Sequence, residues 1–408
     1  MHSSTHRRQP IHTVYGGAHL FKADTAARLG ATAVKVLHEH APDAQTLASV
    51  LGIAPAAAER VYSRVREKLQ REPVEDFRLD FEDGYGNRPD AEEDGHAASA
   101  AVEVGNGAKA GTLPPFIGIR VKNLGDELRE RALRTTHLFL ERLLKETNRR
   151  LPANFVVTLP KITAKGQVAA LVQTFAEIEA AHHLPAGSLR MELMVETPYS
   201  IFDENGAVSL PSLVGEGDGR VVAAHFGTYD YTASLGITAA HQHMRHQVCD
   251  FARAIMQVAL AGTDVWLSDG ATNVLPVGKD RATIHQAWRL HYDDIRHSLT
   301  NAFYQGWDLH PAQLVTRYAA VYAFFLESLD AASERLRNFI SKAAQATLVG
   351  EVFDDAATGQ GLLNFFLRAL NCGAVQETEI GALTGLTLAE LRSGSFVKIV
   401  KHRRRSSA

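Results

Sequence analysis

The sequence predicts a TIM-type (β/α)8 barrel with helical additions, and three observations point to it. Short β-branched or apolar runs alternate with long helix-like segments over most of the chain. Eight such runs precede residue 315, the number a closed parallel barrel needs. Charged residues gather just past the ends of those runs, where barrel strands open into one shared mouth.

The runs fall at 11–15 (IHTVY), 76–81 (DFRLDF), 116–121 (FIGIRV), 155–159 (FVVTL), 190–195 (RMELMV), 221–226 (VVAAHF), 264–267 (DVWL) and 307–309 (WDL). Segments such as 126–148, 165–182 and 280–304, rich in Ala, Leu, Glu and Arg, supply the outer helices. Residues 16–73 hold more helix than one crossover requires, so the first βα unit is enlarged. The barrel is expected over residues 10–314 and a C-terminal helical extension over 315–408. The terminal KHRRRSSA reads as a solvated tail.

With 408 residues, 45% hydrophobic and 22% charged, the chain is long and apolar enough for a large buried core. Lys plus Arg number 43 against 46 Asp plus Glu, a net charge of −3, so no global basic field draws in nucleic acid or a membrane surface. Cys249 and Cys372 lack metal or redox-motif spacing. The N-terminal segment has no apolar h-region, and no long apolar span follows, so a cytoplasmic protein is expected.

Glu196 (MVETP) and Asp230 (FGTYD) end successive apolar runs one βα unit apart. Adjacent strands would bring the two carboxylates together, which requires a shared proton or a cation. An oxygen-only pair with room for water suits Mg²⁺ or Mn²⁺ better than zinc. The competing reading, two helix caps, weakens because two strand-end acids occur in succession. Asp80, Glu82 and Asp83 crowd the second strand end; strand alternation puts Asp80 and Glu82 on one face and Asp83 on the other, with indirect roles around a metal or a lysine. Arg120 lies on an apolar strand and needs a carboxylate, from Glu82 or Asp83 or from a substrate. Lys161 is a Schiff-base nucleophile or, as we favour, a charged partner of the acids. Asp269 and His310 complete the strand-end set. His225 faces the mouth or the core, and His241, His243 and His246 offer at best a two-ligand site. The GEGDGR segment precedes a strand and reads as a turn; neither a Walker motif nor G-x-S-x-G occurs.

Five landmarks, LDFEDG, GIRVKN, LPKI, MVETP with FGTYDYTASLG, and GWDLHPAQL, run in order across about residues 76–314. Together they resemble the citrate lyase β-subunit/HpcH–HpaI aldolase group of the phosphoenolpyruvate/pyruvate-binding barrels. The resemblance implies Mg²⁺ held at Glu196 and Asp230, and substrate carboxylate or enolate bound by Arg120. Gly227 and Thr228, in the FGTYD landmark, are expected to contact the substrate. The sequence departs from the group in GYGNR after the acidic motif, in Asp308 where a lysine is usual, and in its longer C-terminal part, which favours a free 2-oxo acid over an acyl-CoA. The expectation is therefore a Mg²⁺-dependent (or Mn²⁺-dependent) carbon–carbon lyase or aldolase that works on a small carboxylic acid through an enolate, with Glu82 and Asp83 ordering water or a cation. A metal-bound hydroxide, His310 and His225 stay open as the proton acceptor. Rival readings are an acyl-CoA lyase, phosphoenolpyruvate-type chemistry with Lys161 and Lys122 on phosphate, and a non-catalytic 2-oxo acid sensor. The extension's amphipathic helices suggest a homo-oligomer.

Overall fold

A computed structural model describes residues 8–278, 280–345 and 356–406. Eight parallel strands close into a barrel in sequential order. They are β1 (His12–Gly17), β2 (Asp76–Asp80), β3 (Phe116–Arg120), β4 (Phe155–Leu159), β5 (Arg190–Val195), β6 (Val221–Phe226), β7 (Trp266–Ala271) and β8 (Gln305–Asp308). Closure comes from β1 pairing with β8, Thr13 opposite Trp307. Alternate residues divide the strands into two faces. Phe77, Leu79, Ile117, Ile119, Val157, Leu159, Leu193 and Phe226 face outward into the main apolar core beneath the helices.

The inward face is polar in its middle layer. Arg78 is fully buried and donates to Asp76 (2.7 and 2.9 Å) and to both oxygens of Glu192 (2.8 and 2.9 Å). Thr13 and Thr158 donate to Asp76 and Glu192. This departs from the apolar barrel filling the fold class suggests; the buried guanidinium is tolerable because carboxylates surround it. Gly118 makes the room, since a Cβ there would lie 2.8 Å from Arg78 Nη1.

Several boundaries move. The seventh strand begins later than 264–267 and runs through LSDGA; Asp269 turns outward to Arg253 (2.9 Å) and Ser298 (2.6 Å), away from the mouth. The helix Pro311–Leu326 is buried along almost its whole length and packs on helices Pro55–Arg71 and Arg281–Thr300, so it belongs to the barrel, and the extension starts after it. The enlarged first unit consists of helices Thr25–His40, Ala44–Leu51 and Pro55–Arg71.

Beyond Leu329 short and long helices form a bundle around Leu336, Leu363, Phe366 and Phe396. It joins the barrel through Glu379 with Arg60 and Arg64, and through Arg368, which donates to Gln9 just before β1. The bundle therefore meets the N-terminal ends of β1 and β8, opposite the mouth. Within the basic terminus, helix Phe396–Ser406 carries Arg403, paired with Glu390 at 2.7 Å, and residues 407–408 lie outside the described residues. Cys249 and Cys372 are buried thiols. Among the described residues no helix is long and apolar enough to cross a membrane.

Candidate active site

Four carboxylates converge at the C-terminal ends of the strands around one lysine. Lys161 follows β4 with a left-handed backbone (φ 48°), a conformation that costs a side-chain-bearing residue on the order of 1 kcal/mol and clusters at functional positions. Its N–H donates to Glu196 Oε1 (2.7 Å), beyond the end of β5. Its ammonium bonds Glu82, lies 3.1 Å from both oxygens of Asp83, and sits 3.4 Å from Asp230 Oδ2 in the first turn after β6. One cation thus ties the β2 end to the β6 end across the mouth. The charged-partner reading of Lys161 matches this geometry: burial works against its proton, but Glu82 and Glu196 outweigh it and raise its pKa.

Strand periodicity stops at Asp80, and this changes the acidic motif. Glu82 and Asp83 lie in the following turn and both reach Lys161, where continued alternation would have separated them. Asp80 instead holds Arg120 in a two-point pair (Nε to Oδ1 2.8 Å, Nη2 to Oδ2 2.6 Å) and accepts from the N–H groups of Glu82 and Gly84. Arg120 and Asp80 are register partners on β3 and β2, a relation that sequence does not display. The free edge of the guanidinium lies 3.2 Å from Glu82 Oε2 and 3.7 Å from Asp83.

Glu196 is buried to 1% exposure, and that burial pushes its carboxyl up to about 8, with Asp230 and Glu82 adding to the rise against Lys161 and Arg120. Burial also raises Glu82. For the half-exposed Asp83 burial acts upward, but Arg120 and Lys161 outweigh it and hold the group low. Gly227 leaves the space Glu196 occupies: a Cβ there would fall 2.4 Å from Glu196 Oε2.

Other expected site residues lie elsewhere. Thr228 is buried with its hydroxyl on Met244 Sδ (3.0 Å), toward β7, because it starts the helix Thr228–Ser234. His310 caps the helix Pro311–Leu326, its Nδ1 accepting from Ala312 N–H (3.2 Å), and burial lowers its pKa. His225 is enclosed in the barrel interior, 3.4 Å from Glu192. Lys122 is buried on Glu93 (2.8 Å) and the Phe81 carbonyl (2.7 Å), which withdraws it from any phosphate role. Asp308 points outward to His12, His291 and Arg317. Of the histidine cluster, His246 caps a helix.

Among the described residues no three His, Cys, Asp or Glu side chains form a ready metal cage. Glu196 and Asp230 nevertheless suit a hard cation that keeps most of its waters, because they offer carboxylate oxygens alone, and one of them is buried with too little positive charge to stay ionised easily.

The eight strands and their helices define a (β/α)8 barrel protein with an acid-rimmed mouth. The chain belongs to the DUF6986 family, described as a domain of unknown function, which it matches over residues 3–399. No curated protein matches it. Among solved structures it is similar to Haloferax volcanii malate synthase in a magnesium/glyoxylate complex, with TM-score 0.51 and 13% identity over 98% of both chains. The lead(II) complex of that enzyme gives TM-score 0.51 and 13% identity over 97% of this chain and 100% of the other. An HpcH/HpaI aldolase/citrate lyase family protein from Burkholderia cenocepacia is similar at TM-score 0.40 and 13% identity, over 82% of this chain and 97% of that one. At these identities the malate synthase likeness establishes the barrel fold.

Proposed function

We propose that this protein is a divalent-cation-dependent enzyme that makes or breaks a carbon–carbon bond next to the carbonyl of a small 2-oxo acid. The observation that carries this reading is that the buried Glu196 and the mouth residue Asp230 meet at Lys161, on its N–H (2.7 Å) and its ammonium (3.4 Å), in a mouth that also presents Arg120. Glu196 and Asp230 would hold Mg²⁺ or Mn²⁺, which when bound supplies electrophilic polarisation of the 2-oxo group.

The chain's own residues do the rest. Asp80 fixes Arg120 by two hydrogen bonds, so the guanidinium reaches the mouth in one orientation and presents a preorganised positive charge to developing enolate charge. Lys161 bridges Glu82, Asp83 and Asp230 and must swing aside as substrate enters; freed from Asp230, it keeps its proton and adds positive potential. Glu82 and Asp83 then anchor Lys161 from one side. The half-exposed Asp83 is held ionised by Arg120 and Lys161 and so keeps its charge on Lys161.

A second reading, condensation with an acyl thioester, is motivated by the likeness in fold to Haloferax volcanii malate synthase, one structure of which is a pyruvate/acetyl-CoA ternary complex. The two are separated by offering glyoxylate and pyruvate with a panel of aldehydes or with acetyl-CoA, following carbon–carbon products by NMR and free thiol by colour. Product that requires Mg²⁺ or Mn²⁺ and is lost in Asp230→Asn supports the proposal, and thiol release selects the thioester. Product indifferent to chelator and to Asp230→Asn would contradict it.

A further inference from the structure

Directly beneath Arg120 the barrel interior closes with a layer of Tyr15 from β1, Met194 from β5, Ala271 from β7 and Trp307 from β8. The Tyr15 and Trp307 rings lie 4.4 Å apart. The Arg120 guanidinium stands over both, 4.8 Å from the first ring centre and 5.7 Å from the second. Tyr15 Oη and Trp307 Nε1 are both buried, and neither has a hydrogen-bond partner. The His225 ring lies 6.5 Å from that of Trp307.

Nearly all buried polar groups in native proteins are paired, because an unpaired one costs about 1–3 kcal/mol. Two adjacent orphans under a guanidinium at the mouth of a barrel therefore require a partner. The indole N–H can only donate, and the phenol donates readily, so the missing partner is an acceptor. A carboxylate supplies acceptor oxygens and a charge that Arg120 favours.

We propose that Tyr15 and Trp307 line the inner side of the substrate-carboxylate recess, with the Arg120 guanidinium stacked over their rings. The acid end of a small planar substrate enters first and takes hydrogen bonds from Tyr15 Oη and Trp307 Nε1. Met194 and Ala271 complete the layer. This assignment rests on the 2-oxo acid reading and names two substrate-binding residues for it.

The test is calorimetric titration of the full-length protein with oxalate in the presence of Mg²⁺, paired with tryptophan emission. Tyr15→Phe and Trp307→Phe are each expected to weaken oxalate binding about tenfold, the loss of one hydrogen bond to a charged group. The emission change on binding should vanish in Trp307→Phe. The unfolding midpoint of Tyr15→Phe should stay at or above that of the wild type, since the hydroxyl removed has no partner in the protein. Oxalate binding that is unchanged in both variants overturns this inference and leaves the 2-oxo acid reading standing. Absence of oxalate binding to the wild type, with or without Mg²⁺, overturns that reading and this inference with it.

Discussion

Glu196 is the residue at which burial and chemistry meet. Its carboxyl, in the usual range when unfolded, is pushed up to about 8 by burial in the folded chain. Between those values the folded state keeps a proton that the unfolded state has released, so stability falls as pH rises through the window. In chelator-treated protein the wild type should therefore lose stability in urea between about pH 5 and about pH 8.5. Glu196→Gln, neutral and of the same shape, should lose less, by on the order of a few kcal/mol, and Mg²⁺ should restore the wild type at the upper pH. Equal pH slopes for the two proteins would refute the assignment. Arg120, Lys161, Glu196 and Asp230 were legible in the sequence because each charged group interrupts or ends an apolar run. Asp80 as the holder of Arg120 was not, since that pairing depends on strand register. Tyr15 and Trp307 were hidden for a different reason: aromatic residues in strands read as filling, and their unpaired donors exist only in three dimensions.

At the scale of elements, the mouth is built by where strands stop. β2 ends at Asp80, and the turn after it delivers Glu82 and Asp83 to the same lysine. The turn after β6 begins with Gly227, whose missing side chain gives Glu196 its place. Gly227→Ala, with an ordinary backbone conformation at that position (φ −110°), would set a Cβ 2.4 Å from Glu196 Oε2 and 2.6 Å from Glu196 Cβ, so it should displace the carboxylate together with the end of β5 that carries it. Affinity for Mn²⁺ measured by EPR should fall at least tenfold in the folded variant; unchanged affinity would mean that Glu196 is not a ligand. Strand ends were read well where a run was β-branched and followed by a charge. The seventh was misplaced because SDG resembles a turn, whereas Asp269 is sequestered by Arg253 and Ser298 and the strand continues through it.

For the whole molecule, eight alternating units were enough to read the barrel, because a parallel sheet buried on its outer face must show eight apolar runs. The helix Pro311–Leu326 escaped assignment to the barrel since an all-round apolar helix carries no stripe to show what it packs against. Among the described residues the C-terminal bundle is seated at the N-terminal ends of β1 and β8, at the end of the barrel opposite the acid-rimmed mouth. The central claim is that this mouth supports cation-dependent enolate chemistry on a 2-oxo acid. It is tested most directly by following deuterium incorporation into the methyl group of pyruvate by NMR in heavy water, with and without Mg²⁺, for the wild type and Glu196→Gln. Exchange that needs Mg²⁺ and disappears in the variant is the predicted result; exchange equally fast in the variant, or none in the wild type with either Mg²⁺ or Mn²⁺, would contradict the account.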